Sequence, residues 1–98
     1  MRKITINGKD YPIVITMGAY RDFKLATGKE VDQITGVSEM AELLFCIVKS
    51  SCRKERVEFQ LSIEEFCDNL TAEQMELLPE ILGVDNGASN KKKKADQQ

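Results

Sequence analysis

The sequence predicts an α+β domain, an N-terminal β-hairpin packed on a bundle of about four helices, and three observations carry that prediction. Residues 3–15 alternate apolar and polar side chains on either side of the turn segment NGKD. Residues 38–52, SEMAELLFCIVKSSC, place apolar side chains at helical spacing round most of a helix. Two later segments, Ser62-Ile63-Glu64-Glu65 and Thr71-Ala72-Glu73-Gln74, have the capping-box form that opens a helix.

The hairpin comes first. Ile4 and Ile6 precede the turn and Tyr11, Ile13 and Ile15 follow it. A turn centred on Gly8-Lys9 pairs Ile6 with Tyr11; one centred on Asn7-Gly8 shifts the register by two. Both keep the large apolar residues on one face, so the sequence leaves the register open. Pro12 has no amide donor and belongs on an edge strand. A lone hairpin is marginal in water, so its apolar face must rest on helices.

Thr16 caps a helix that runs to Gly28, a left-handed C-cap, with Ala19, Tyr20, Phe23 and Ala26 as its apolar face. Gly28-Lys29 lacks the surroundings of a phosphate-binding loop, because Phe23 stands where that loop needs a glycine and Glu30 where it needs Ser or Thr. Val31, Ile34 and Val37 tether the connection to the next helix.

That next helix is the centre of the domain. Met40, Leu43, Leu44, Ile47 and Val48 form its main stripe, widened by Ala41, Phe45 and Cys52, so it needs neighbours on more than one side. Ser38 is its expected N-cap, with Glu39 and Glu42 in the first turns. Lys49, Arg53, Lys54 and Arg56 gather toward its other end, followed by a charged link.

Val57, Phe59 and Leu61 alternate with Glu58 and Gln60, either as a short third strand or as an extended segment pinned by its apolar side chains. Ser62 and Thr71 then start two helices, with Leu61/Phe66 and Leu70/Met75 spaced as hydrophobic staples. The first offers Ile63, Phe66 and Cys67 to the core. The second offers Met75, Leu77, Leu78, Ile81 and Leu82, stops at Gly83, and contains Pro79, which should kink or split it. Residues 1–83 read as a single domain. Residues 84–98, with Lys91–Lys94, have little to bury and read as a disordered tail.

Composition narrows the function. The chain has 98 residues, of which 42% are hydrophobic, with no apolar run long enough for a bilayer and no signal-peptide core. It has no histidine, and its three cysteines (Cys46, Cys52, Cys67) show no CxxC spacing, so they read as buried reduced thiols. That leaves nothing from which to assemble a zinc site or a Ser/His or Cys/His catalytic pair. The carboxylates lie at helix starts and on polar faces, where solvation and capping account for them. No catalytic residue, cofactor or metal is expected.

Residues 1–83 hold ten Lys/Arg against fourteen Asp/Glu, an acidic body unsuited to nucleic acid. The pair of helices from Ile63 to Asn69 and from Ala72 to Leu82 imitates a helix-turn-helix. The would-be recognition helix, however, carries Glu73, Glu76 and Glu80 and no Lys or Arg. The remaining lead is apolar surface. The stripes above, with Met17, Met40 and Met75 as adaptable side chains, either fill core gaps or receive a helical partner.

The order of elements resembles a known family. KITINGKDYPIVI, a helix ending ATGKE, an apolar helix of the SEMAELLFCIVKSS type, an acidic capped helix pair and a polar tail are similar to the small tail assembly chaperones of long-tailed bacteriophages and prophages. The resemblance covers residues 3–83. It implies a non-enzymatic protein in the cytoplasm of the host bacterium, absent from the finished virion. Such a protein binds the helix-rich tape measure protein before the tail tube protein polymerises around it. By that analogy Met40, Leu44, Met75 and Leu78 are the expected contact residues. The family also implies a ribosomal frameshift near the gene's end, for which codons of Lys91–Lys94 would supply an adenine run. Two other readings are a small regulatory adaptor of antirepressor type and a structural subunit of the tail.

Overall fold

A two-residue turn fixes the hairpin register. In the computed structural model, which describes residues 2–82, Asn7 has φ 53° and Gly8 φ 82°. Two consecutive left-handed residues make the turn type that matches the twist of paired strands, and Asn-Gly is its preferred sequence. The strands β1 (Arg2–Ile6) and β2 (Lys9–Ile13) therefore pair Ile4 with Tyr11 and Ile6 with Lys9. Of the two registers open to the sequence, the one centred on Asn7-Gly8 is found. Ile4, Ile6, Tyr11 and Ile13 are all buried.

The same register explains Pro12. Ile6 and Lys9 close the two-residue loop as a hydrogen-bonded pair, and alternation then puts Lys3↔Pro12 at a pair that exchanges no ladder bonds. The missing amide of Pro12 falls on the outer edge of β2, where it costs the hairpin nothing.

Helix α1 (Met17–Thr27) begins as the sequence predicts, with the Thr16 hydroxyl accepting from Ala19 N at 3.1 Å. It ends at Gly28 with φ 79°, whose amide donates to Lys24 O. Ala19 and Phe23 are buried and Tyr20 half-buried, but Ala26, expected on the apolar face, is exposed.

A single 3-10 turn (Val31–Gln33) leads to the central helix α2 (Val37–Glu55). The expected cap at Ser38 is corrected here. Gly36 is the N-cap, its carbonyl accepting from Met40 N, and it has no side chain to contribute. The start is held instead by Glu39, whose carboxylate accepts from Thr35 N at 2.9 Å and meets Lys29 Nζ at 2.6 Å. The Lys29 bond and then the Thr35 amide hold the Glu39 carboxyl below its ordinary 4.5. Because the folded value lies below the unfolded one, its contribution to stability is complete above pH 4.5 and is lost as pH falls through the folded value. A side-chain carboxyl titration by NMR should place the Glu39 midpoint below 4.5, and Lys29→Gln should raise it. A wild-type midpoint at or above 4.5 would contradict this pairing.

Leu43, Leu44, Cys46, Ile47, Val48 and Cys52 of α2 are buried among α1, β2 and the following helix. Two polar residues are buried with them, and each joins α2 to the β2–α1 connection. Ser51 Oγ accepts from Val14 N at 2.7 Å, while its single hydrogen has Val14 O at 2.9 Å and Ile47 O at 2.7 Å within reach. Ser50 Oγ lies 2.6 Å from Thr16 Oγ1. The helix ends on Arg56 in the left-handed region (φ 60°), with its amide and that of Val57 both directed at Cys52 O.

Residues 57–61 form no strand among the described residues; of the two sequence readings, the pinned extended segment is the observed one. Phe59 packs edge-on against Tyr11 at 5.4 Å between ring centroids and against Phe45 at 5.6 Å, and Phe45 meets Phe66 at 5.5 Å. Lys9 Nζ donates to Glu58 O at 3.3 Å, so the segment passes close to β2. With Pro12 removing a donor from that edge, side-chain packing holds the segment where a ladder would be incomplete.

Three short helices follow: α3 (Ile63–Asp68), α4 (Ala72–Glu76) and α5 (Leu78–Leu82). Both capping boxes are present. Ser62 Oγ accepts from Glu65 N at 3.1 Å and Glu65 Oε1 accepts from Ser62 N at 3.2 Å; Thr71 and Gln74 repeat the exchange. Ser62→Ala should cost about 1 kcal/mol in a urea titration, and an unchanged midpoint would show that Phe66 alone positions α3. The break at Leu77 before Leu78 is the split expected from Pro79, whose ring cannot follow an α-helical turn. Gln74 Nε2 donates to Thr5 O at 2.7 Å and Arg2 pairs with Glu80 at 3.0 Å, which brings α4 and α5 against β1. The tail expected over 84–98 and the helix stop expected at Gly83 lie outside the described residues.

Candidate functional site

The stripe 42, 45, 46, 49, 53 of α2 follows i, i+3, i+4, i+7 and i+11, so Glu42, Phe45, Cys46, Lys49 and Arg53 share one face. That face is only partly covered. Asp22 and Ala26 of α1 stand on one side of it and Ile63 of α3 on the other, enclosing an open groove of about 310 Å³. The walls and floor are Ala26, Phe45, Cys46 and Ile63, and the rim is Asp22, Glu42, Lys49 and Arg53. Arg53 is tied to Asp22 at 3.2 Å. Lys49 Nζ lies over the Phe45 ring, 5.9 Å from its centroid. Beyond Lys49 a second hollow of about 190 Å³ continues along Cys52, Arg53, Val57 and Phe59.

Cys46 is the only titratable group with a strongly moved pKa among these residues. Burial pushes its thiol up to about 11, Asp22 and Glu42 add to the rise, and Lys49 opposes it. A thiol at that value is protonated at neutral pH and is no nucleophile. Among the described residues no three His, Cys, Asp or Glu side chains gather as a metal site, and no helix is long and apolar enough to cross a membrane. Residues 57–82 carry seven Asp/Glu and no Lys or Arg, so α3–α5 present an acidic surface.

The four contact residues expected by analogy divide into two pairs. Leu44 and Leu78 have no exposed surface and belong to the core. Met40 and Met75 are half-buried and pack against that core. None of the four lines the groove. Sequence reasoning missed Ala26, Phe45 and Ile63 as a group, because they come from three helices. Phe45 was legible as a widening of the α2 stripe, and Cys46 only as a buried reduced thiol.

A comparison with protein-family models, with curated proteins and with solved structures finds no match to this chain.

Proposed function

We propose that this protein is a non-enzymatic assembly chaperone of the phage-tail type, which holds a helical segment of the tape measure protein before the tail tube forms. The observation that carries the reading is the groove between α1, α2 and α3, with its apolar floor of Ala26, Phe45, Cys46 and Ile63 and its charged rim. An amphipathic helix recognises such a groove by seating apolar side chains at i, i+3/i+4 and i+7 on the floor while its polar face stays in water. The order of elements adds the likeness to tail assembly chaperones. Phe45 and Ile63, both half-buried, leave room for apolar side chains from outside.

Co-expression with the long helix-rich product of the neighbouring gene tests the reading. The chain should keep that product soluble and co-purify with it. Ala26→Arg, an exposed helical position that fills the groove without touching the core, should abolish co-purification while leaving the fold intact. A partner that precipitates regardless, or that co-purifies equally with the Ala26→Arg variant, would defeat the proposal.

A further inference from the structure

The rim charges of the groove are ordered along α2. Glu42 stands at one end, and Lys49 and Arg53 follow seven and eleven residues later, about 10 and 16 Å along the axis at 1.5 Å per residue. Among the described residues neither Glu42 nor Lys49 has an ion-pair partner, whereas Arg53 shares its charge with Asp22. The open charges are thus a carboxylate toward the start of α2 and an ammonium toward its end. Lys49 has a second role, because its side chain lies across Phe45 and both hollows are lined by it. An exposed lysine on an aromatic ring is held weakly. A carboxylate arriving above it gives the ammonium a stronger partner and draws Lys49 off the ring, while Arg53, which also lines both hollows, stays tied to Asp22.

Resting on the helix-binding reading above, we infer that the groove takes an amphipathic helix antiparallel to α2. A carboxylate in its first turn meets Lys49, and a basic side chain about two turns later meets Glu42. A helix commonly carries acid at its start and base at its end, because those signs complement its dipole. Such a helix matches the rim only when it runs against α2, and the two dipoles then oppose each other favourably. The apolar side chains between its charges fall over Phe45, Cys46 and Ile63, and Lys49 moves off Phe45 as the helix seats.

Two synthetic helical peptides of about 18 residues with the same leucine stripe test this. One has Glu in the first turn and Lys two turns later, and the other has these exchanged. Each is titrated into the isotopically labelled full chain and followed by amide NMR, with a nitroxide on the peptide N-terminus in a second series. The acid-first peptide should bind about tenfold more tightly, and its nitroxide should broaden Lys49 and Arg53 more than Glu42. Lys49→Glu alone should abolish the preference, and the Glu42→Lys/Lys49→Glu double variant should reverse it. Equal affinities, tighter binding of the exchanged peptide, or broadening centred on Glu42 would overturn the polarity while leaving helix binding in place. If neither peptide moves the amides of Phe45 and Cys46, the groove does not take helices, and the reading beneath this inference falls too.

Discussion

Phe66→Ala is expected to lower the unfolding free energy by about 3–5 kcal/mol, a large part of the roughly 5–15 kcal/mol of a small domain. Phe66 has no exposed surface, and its ring is within 5.5 Å of Phe45 and 6.4 Å of Phe59, centroid to centroid. Those rings are held by different elements: α2, the extended segment and α3. Removing the Phe66 ring leaves a cavity at their junction, and it also loosens Phe45 and Ile63, the walls of the groove. The segment 57–61 has no strand ladder to hold it, so its attachment depends on this aromatic cluster more than a paired strand would. Urea unfolding with a near-UV probe of the aromatic environment measures the effect. A loss below about 1 kcal/mol would mean that the cluster can collapse around the gap, since the cost of a core truncation depends on how far the site relaxes.

Ser51→Ala should cost about 1–3 kcal/mol, more than an average serine, because it leaves the Val14 amide without its acceptor. The hydroxyl takes the place of a strand neighbour for Val14, just past the end of β2, and so joins the hairpin to the central helix. Ser50→Ala tests the neighbouring clasp and should cost less, because Thr16 Oγ1 keeps its bond from Ala19 N when Ser50 Oγ is removed. Equal losses at the two positions would show that both serines act through packing alone.

Much of this fold is written locally. The Thr16 cap and Gly28 stop of α1, both capping boxes and the Pro79 break are each decided within four or five residues, and all are found in place. The hairpin was legible too, but its register, open in the sequence, is decided by the Asn7-Gly8 turn of the structure. Features that depend on distant partners were not legible. Gly36 replaces Ser38 as the cap of α2 because Glu39 is fixed by Lys29, ten residues earlier in the connection after α1. The end of α2 at Arg56 carries no glycine or proline signal, and Cys52 O receives two amides there instead. The choice between strand and pinned segment at 57–61 turned on aromatic contacts with Tyr11, Phe45 and Phe66. Helical periodicity also marked Leu44 and Leu78 as apolar without saying which side of the bundle they would face. The groove itself is a relation among three helices, and from the sequence it shows only as an excess of apolar circumference on α2.

The proposed role of the groove is to seat a partner helix. Its most direct test is an amide NMR map of the full chain titrated with helical segments of the tape measure protein. Shifts should concentrate at Ala26, Phe45, Cys46, Lys49 and Ile63 and saturate together. Shifts centred on the hairpin or on α4–α5, with those five residues unmoved, would contradict it.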